Sequence, residues 1–230
     1  GQPEAIALGA LLFRDARLSR DGTMSCASCH QPARGFSDGL PRAQGLQAGT
    51  RNTVALANLG QQRWFGWDGA NDNLWAQSLR PILDAREMGG TLQHVARTVR
   101  DDAALRDGYR RSFGGEPGAD DETVAVDVAK ALAAYQETLI TPRTSFDDFR
   151  DAVARGDRQA AAAYPAAAQR GLALFLGRGR CYVCHSGPNF SNGEFSDIGV
   201  PFFIAQGQVD PGRHGGIQSL VHRGGVDEAG

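Results

Sequence analysis

The chain has 230 residues, of which 41% are hydrophobic and 22% charged, so it can bury a sizeable core in one large or two small domains and is not a disordered protein. Its net charge of −2 argues against a nucleic-acid-binding protein, which would carry a basic excess. No apolar run approaches the roughly 20 residues needed to span a bilayer.

Apolar residues recur at helical spacing along the chain, and no stretch of any length alternates as a β-strand would. The segment 121–140 gives the strongest signal, because Asp120 or Asp121 can cap its start and Pro142 stops it. Its apolar stripe consists of Val124, Val128, Leu132, Tyr135 and Leu139. Helices are predicted at 4–13, 91–111, 121–140 and 166–176, and long glycine-rich loops at 31–60 and after residue 185. The sequence therefore predicts a mostly α-helical protein.

All four cysteines lie in two short motifs, Cys26-Ala27-Ser28-Cys29-His30 and Cys181-Tyr182-Val183-Cys184-His185. Two thiols three positions apart can add to the two vinyl groups of one haem, and the adjacent histidine can then bind the iron. A disulfide, a redox pair or half of a zinc site would not require a histidine after both pairs, and the pairs are too far apart for a zinc ribbon. The motifs therefore predict two covalently bound haem c groups, with His30 and His185 as iron ligands.

Each haem motif follows a helix whose end is rich in leucine and phenylalanine, Leu11-Leu12-Phe13 in one case and Leu174-Phe175-Leu176 in the other. This repetition indicates a duplicated unit. We therefore expect two cytochrome c-like haem domains with long Gly/Pro-rich loops, at residues 1–150 and 151–230. Thioether attachment of haem takes place outside the bacterial cytoplasmic membrane, so we expect a periplasmic protein, present here as a processed form or without its leader.

Few residues are available to ligate the far side of the first haem. A haem that only carries electrons usually has a second ligand, commonly Met or His, and neither occurs between His30 and residue 87. Met24 is too close to the motif to reach the opposite face. Met88 is the one credible distal ligand but fits a core position equally well, and His94 is expected to be a solvated or packed histidine. The first haem is therefore expected to be five-coordinate or water-bound, which favours catalysis.

The second haem has even fewer candidates for its distal ligand. After His185 the chain contains no Met and no Tyr, only His214 and His222 in a glycine-rich tail. Either histidine could ligate the iron, and both fit exposed loop residues as well.

Several further short motifs occur in a fixed order around the two haem motifs. They are Arg17-Leu18-Ser19, Asp21-Gly22-Thr23, Phe36-Ser37-Asp38-Gly39, Arg51-Asn52-Thr53, Trp67-Asp68-Gly69, Gln77, Pro81, Glu87-Met88-Gly89, Thr141-Pro142-Arg143, Phe146-Asp147 and Ser186-Gly187. In this order they resemble the bacterial di-haem cytochrome c peroxidase family, including its MauG-type branch, over nearly the whole chain.

The resemblance implies a role for each matching residue. The first haem would react with peroxide, with Glu87 moving a proton between the two oxygens and Gln77 orienting peroxide or water. Trp67 would relay electrons between the haems, and Pro81 would pack on the distal side. Asn52 matches a residue that contacts a calcium ion, although one oxygen is far from the six to eight that calcium takes.

The chain departs from the family pattern in two places. Classical members carry a histidine ligand in the loop after the first motif, which this chain lacks, so its catalytic haem resembles those that are constitutively open. Members also usually continue well beyond the segment Asp210-Pro211-Gly212-Arg213, and that region supplies the second haem's Met or Tyr ligand. The second domain is therefore expected to be incomplete.

Three functions follow as expectations. The leading one is a peroxidase that reduces hydrogen peroxide with electrons from a cytochrome c or cupredoxin. The second is a MauG-type oxidase that modifies Trp or Tyr side chains of a partner protein. The third is a non-catalytic di-haem electron carrier, with Met88 or His94 closing the first haem. The family's frequent dimerisation suggests a homodimer by analogy only.

Overall fold

The computed structural model of the chain describes residues 3–197, 199, 207 and 209–224, the last six as backbone only. The described chain is mostly helical, and its β pairing consists of three isolated bridges. The helices are α1 (Pro3–Leu12), α2 (Cys26–Cys29), α3 (Leu74–Leu83), α4 (Leu92–Asp101), α5 (Ala103–Phe113), α6 (Asp121–Gln136), α7 (Ser145–Ala154), α8 (Arg158–Ala162), α9 (Ala166–Leu176) and α10 (Gly212–Gly224). Short 3₁₀ turns lie at Ala16–Leu18, Pro32–Arg34, Leu59–Gln61 and Cys181–Val183. The predicted fold class is confirmed.

The predicted helices occur, with two corrections. The segment 91–111 is two helices rather than one, because Asp102 ends α4 and its carboxylate accepts hydrogen bonds from the backbone N–H groups of Ala104 and Leu105 to begin α5. Helix α6 begins at Asp121, capped by Asp120, but ends at Gln136 rather than at residue 140. Helices α2, α3, α7, α8 and α10 were not predicted from the sequence. Helix α10 lies in the stretch after residue 185 that was expected to be a glycine-rich loop, so that expectation was wrong for Gly212–Gly224.

The chain forms two compact units, each with one of the haem motifs. The first comprises Gly1–Leu139 together with Asp197–Gly230, and the second comprises Ile140–Ser196. The proposed division at residue 150 falls within α7 of the second unit, so the boundary of the folded unit lies earlier than the expected domain boundary. The assignment of residues 1–150 and 151–230 to two domains stays a prediction.

Helix α6 is the centre of the first unit. Helices α1, α3 and α4 all pack on it, and α1 also packs on α5. The core is formed by side chains that are at most 2% exposed, among them Leu8, Leu12, Phe13, Val95, Val99, Val124, Val128 and Leu132. The first three residues of the predicted α6 stripe are thus buried, whereas Tyr135 and Leu139 are partly buried at its edge. This packing fixes the end of α1, which leads to the first haem motif.

Helices α1 and α6 approach so closely that only glycine fits at residue 9. A Cβ atom at Gly9 would overlap the backbone carbonyl of Ala131 and lie 2.8 Å from the Cβ of Tyr135. The contact is backbone to backbone, so no side-chain rotation can relieve it.

Among the described residues, no helix combines the length and apolarity needed to cross a membrane.

We expect Gly9→Ala to lower the free energy of unfolding by about 1–3 kcal/mol, because the added methyl group forces the two helices apart. The matched control is Gly171→Ala in α9, where an added Cβ would meet nothing within 4 Å. That control should be neutral or stabilising by up to about 1 kcal/mol, since alanine favours the helix over glycine. Urea denaturation of both variants measures the difference, and equal stabilities would contradict the packing described for α1 and α6.

Candidate active site

The first haem motif forms one helical turn that is tied to the end of α1. The N–H of His30 donates to the carbonyl of Cys26 at 2.9 Å, and the N–H of Ala27 donates to the carbonyl of Phe13 at 3.1 Å. Both thiols and the imidazole border a cavity of about 250 Å³ in the first unit. The helical core therefore presents the motif to a cavity that is partly open to solvent.

The imidazole of His30 is oriented by the loop that follows it. Its Nδ1 lies 3.0 Å from the carbonyl oxygen of Phe36, and since a carbonyl only accepts, Nδ1 carries the proton. Nε2 then has the lone pair that an iron ligand needs. Phe36 adopts a left-handed conformation (φ 60°), which is costly for a bulky residue and is typical of functional loops.

The second motif repeats this arrangement in its own unit. Nδ1 of His185 lies 3.0 Å from the carbonyl oxygen of Phe190, which is also left-handed (φ 50°). Each histidine also faces the phenylalanine at the end of the preceding helix. The ring centroids are 6.5 Å apart for Phe13 and His30 and 6.4 Å apart for Phe175 and His185. This likeness supports the predicted duplication at the level of individual contacts.

The first cavity has the composition that a covalently attached haem requires. Apolar side chains that suit the macrocycle lie beside arginines that suit its carboxylates. The apolar lining includes Phe13, Val54, Leu56, Leu59, Phe65 and Leu74, and the basic lining includes Arg51, Arg80 and Arg86. Cys26 and Cys29, neither in a disulfide, would hold the group. The residues present therefore fit a haem c.

A zinc site fits these residues less well. Burial raises the pKa of the Cys26 thiol to about 12, which opposes the thiolate that zinc binds. Within the described part of the chain, no three or more His, Cys, Asp or Glu side chains cluster to hold a metal ion. The same observation leaves the calcium site at Asn52 a prediction.

The five residues outside the haem motifs to which the resemblance gives a role all border this same cavity: Asn52, Trp67, Gln77, Pro81 and Glu87. They come from three loops and helix α3, so the fold brings together what the sequence separates. Their roles stay predictions.

Glu87 is held by a second loop packed against its backbone. The N–H of Leu46 donates to the carbonyl of Glu87 at 3.0 Å, and the N–H of Gln47 donates to the carbonyl of Arg86 at 2.8 Å. Gly45 permits this approach, because a Cβ there would lie 2.7 Å from the Cα of Glu87. These contacts fix the backbone that carries the Glu87 side chain.

The carboxyl group of Glu87 is electrostatically suited to hold and release a proton. The side chain reaches solvent, but the surrounding protein still removes enough hydration to raise the pKa of this carboxyl above its usual value. The negative charge of Asp84 raises it further, while Arg80 and Arg86 oppose the shift. A raised carboxyl pKa in a cavity is typical of proton-transfer groups.

Gln77 and Pro81 lie one turn apart on α3. Asn71 donates from Nδ2 to Oε1 of Gln77 at 2.7 Å, which leaves the amide nitrogen of Gln77 to donate. Pro81 has no N–H for the carbonyl of Gln77 four residues earlier, so the helical ladder is interrupted beside the cavity.

Trp67 lies in a tight turn between two left-handed glycines, Gly66 and Gly69. Its indole Nε1 donates to the backbone carbonyl of Asn52 at 2.9 Å, and its side chain is 50% exposed. The next residue, Asp68, is buried and pairs with Arg51 at 2.9 Å and Arg80 at 3.4 Å.

The other candidate ligands are distributed as follows. The ring of His94 contacts the carbonyl of Arg17 at 2.6 Å and does not line the first cavity. Met88 is 5% exposed in the core and also lines the cavity, as Met24 does. His214 lies in α10 of the first unit, where it is exposed and contacts Gln218. The side chain of His222 lies outside the described residues.

The second unit has its own apolar cavity of about 500 Å³ next to His185. Its lining includes Phe146, Phe149, Val153, Leu172, Phe175, Tyr182 and Phe190. Such a lining fits a second macrocycle.

Sequence reasoning missed the groups that hold the predicted residues in place. The carbonyl oxygens of Phe36 and Phe190 carry no side-chain signal, and the left-handed conformation of these two residues is unusual for phenylalanine. Arg51 and Asp210 each lie in a motif noted above, but their pairing across the chain is a tertiary contact.

Several known proteins are similar to this chain in sequence. A family model described as di-haem cytochrome c peroxidase matches residues 3–157. The "Methylamine utilization protein MauG" of Methylorubrum extorquens is 40% identical over 200 residues, covering 86% of this chain and 54% of that protein. The "Cytochrome c551 peroxidase" of Pseudomonas aeruginosa is 33% identical over 197 residues, covering 84% and 53%.

Solved structures give the same result. The di-haem peroxidase BthA from Burkholderia thailandensis is 25% identical with a TM-score of 0.79, covering 96% of this chain and 62% of that one. A MauG-like protein associated with microbial copper homeostasis is 30% identical with a TM-score of 0.66, covering 87% and 58%. The chain thus spans about half the length of the curated relatives it matches.

Proposed function

Because the chain belongs to the di-haem cytochrome c peroxidase family, we propose that it reduces hydrogen peroxide to water at its first haem. The observation that carries the proposal is the shared cavity, which joins the attachment motif at His30 to the carboxylate of Glu87. A bound haem c supplies a redox-active iron that can accept peroxide where no protein ligand occupies it. Two electrons and two protons convert one peroxide into two waters.

In the proposed reaction, the chain's own residues move the protons and position the substrate. Glu87 accepts a proton from one peroxide oxygen and returns it to the other, which leaves as water. Gln77 donates a hydrogen bond from its amide nitrogen to orient the substrate, and Pro81 helps to exclude water. The hydrogen bond from His30 to Phe36 keeps the proximal imidazole in one tautomer throughout.

We propose that the electrons come from a small redox protein, such as a cytochrome c or a cupredoxin, and that Trp67 carries them from the second haem toward the first. A periplasmic location follows from the chemistry of haem attachment. A calcium ion near Asn52 and a homodimer are further proposals that rest on family membership alone.

A MauG-type activity is the second candidate function. It is favoured by the relative named MauG at 40% identity and by the first cavity, whose described lining contains no histidine besides His30. In that case peroxide would drive oxidation of Trp or Tyr side chains in a partner protein. Mass spectrometry of proteins encoded beside this gene, incubated with enzyme and peroxide, tests it. Oxygen insertion or cross-linking supports it, whereas unmodified proteins with fast oxidation of a cytochrome c donor contradict it.

We expect Glu87→Gln to lower peroxide turnover by about 10²–10⁴-fold, the usual contribution of a positioned acid–base group, while both haems stay attached. The measurement is the steady-state rate with a reduced cytochrome c donor, with haem content taken from absorbance. Glu122→Gln, an exposed change on α6, is the matched control and should keep full activity. Unchanged turnover in Glu87→Gln would contradict the proton-transfer role.

The raised pKa of Glu87 sets the pH dependence of turnover. Only the deprotonated carboxylate accepts a proton, and a raised pKa keeps the group protonated at pH values where an ordinary glutamate has ionised. We therefore expect kcat/KM for peroxide to fall as the pH drops through this raised pKa. Asp84→Asn should move that acid limb to lower pH, since it removes a like charge, and in Glu87→Gln the limb should be absent. If the wild-type protein, Asp84→Asn and Glu87→Gln all lose kcat/KM over the same acidic pH range, a group other than Glu87 titrates.

A further inference from the structure

Three consecutive residues of the turn that carries Trp67 are each held by a different partner. The indole of Trp67 donates to the carbonyl of Asn52, the carboxylate of Asp68 pairs with Arg51, and the carbonyl of Gly69 accepts from Arg213. The indole of Trp67 lines the first cavity, and these contacts hold the turn that carries it. Its position depends on the turn and on what holds the turn.

Arg51 connects this turn to a segment far along the chain. Its guanidinium donates to both carboxylate oxygens of Asp210, from Nε at 2.7 Å and from Nη2 at 2.5 Å, and its Nη1 donates to Asp68 at 2.9 Å. The three side chains are at most 19% exposed, so solvent screens the pairs less than it would on the surface. Bidentate pairs of this kind fix geometry as well as charge. Asn52, which accepts the indole hydrogen bond, is the very next residue.

The segment from Asp210 to Gly216 contacts the turn at two further points. Besides donating to Gly69, Arg213 lies over the ring of Trp64, with its guanidinium carbon 4.0 Å from the ring centroid. Gly216 is buried, and a Cβ there would overlap the carbonyl oxygen of Asp68. Asp210 also accepts from the N–H of Gly212 at 2.7 Å at the start of α10. The start of α10 thus lies directly against the backbone of the turn.

We propose that the Asp210–Gly216 segment, acting through Arg51, is a positioning element for Trp67, and that Arg51, Asp210 and Arg213 are positioning residues for electron transfer through this indole. The relay role of Trp67 is part of the proposed function, and the inference rests on it. The segment lies beyond the second haem motif in sequence but belongs to the first unit. The chain that follows the second haem motif, where electrons are proposed to enter, would thereby set the position of Trp67 near the first haem.

The direct test is ¹⁹F NMR of the holoprotein labelled with 5-fluorotryptophan, which gives one resonance for each of its three tryptophans. Replacing each tryptophan by Phe assigns them. We expect Asp210→Asn to shift, broaden or double the Trp67 resonance and to leave Trp75, which takes no part in these contacts, unchanged. Asp210→Glu keeps the carboxylate and should retain a single resonance. Asp148→Asn, the same change at an exposed Asp–Arg pair, is the matched control and should alter none of the three.

Gly216→Ala provides a second variant if Asp210→Asn does not accumulate, because its methyl group pushes α10 off the turn without removing a charge. A Trp67 resonance that is unchanged in both variants would overturn the positioning role, whatever the stability of the proteins. A merely structural effect would lower the melting temperature without moving Trp67 selectively, and that result would also overturn it.

Electron transfer between the haems separates this inference from the proposed function. The rate, measured by stopped-flow after rapid reduction, should fall in Trp67→Phe and fall less in Asp210→Asn, because electron transfer weakens as the indole moves away from its place between donor and acceptor. A normal rate in Trp67→Phe would refute the relay itself. Suppose instead that electron transfer is slow in Trp67→Phe, while Asp210→Asn keeps a normal rate and an unmoved Trp67 resonance. That result would refute only the positioning role of the segment.

Discussion

The hydrogen bond between His30 and the carbonyl of Phe36 is the constraint from which the rest of the site follows. It assigns the proton to Nδ1 and leaves Nε2 for a metal, and it requires a loop that returns to the motif six residues later. That loop is fastened in turn, because Ser37 donates to the carbonyl of Thr53 at 3.0 Å and Thr53 donates to the buried carboxylate of Asp38 at 2.7 Å. The chain after Thr53 then lines the cavity with Val54, Leu56 and Leu59.

The helical core supplies a second constraint on the position of His30. Phe13 at the end of α1 is 2% exposed and lies between His30 and Tyr135, with ring centroids at 6.5 Å and 5.2 Å. The close packing of α1 on α6 at Gly9 therefore extends to the proximal side of the first haem site. The second unit reuses the carbonyl contact and the flanking phenylalanine. The two motifs thus share their local chemistry.

Much of this arrangement could be predicted from the sequence where the signal is local. The spacing of Cys26, Cys29 and His30, the helical period of α6 and the cap at Asp120 all depend on neighbours in the chain. The structure confirms α6 and its cap, and it places the three residues of the motif at one cavity. The single helix predicted over 91–111 was wrong because Asp102 caps a new helix within an unbroken helical pattern. Helix α7 also begins with a local signal, the capping box formed by Thr144 and Asp147. Contacts such as Arg51 with Asp210 join residues far apart in the chain and cannot be derived from a single sequence.

The central claim is that the cavity shared by His30 and Glu87 admits hydrogen peroxide. The measurement that tests it most directly is a titration of the diferric holoprotein with hydrogen peroxide, without prior reduction, followed by optical absorption and EPR. The account predicts a high-spin ferric signal from an open haem that is lost as peroxide is added. Two low-spin signals that peroxide leaves unchanged, before and after one-electron reduction, would contradict it and would identify a di-haem electron carrier in which a residue such as Met88 closes the first haem.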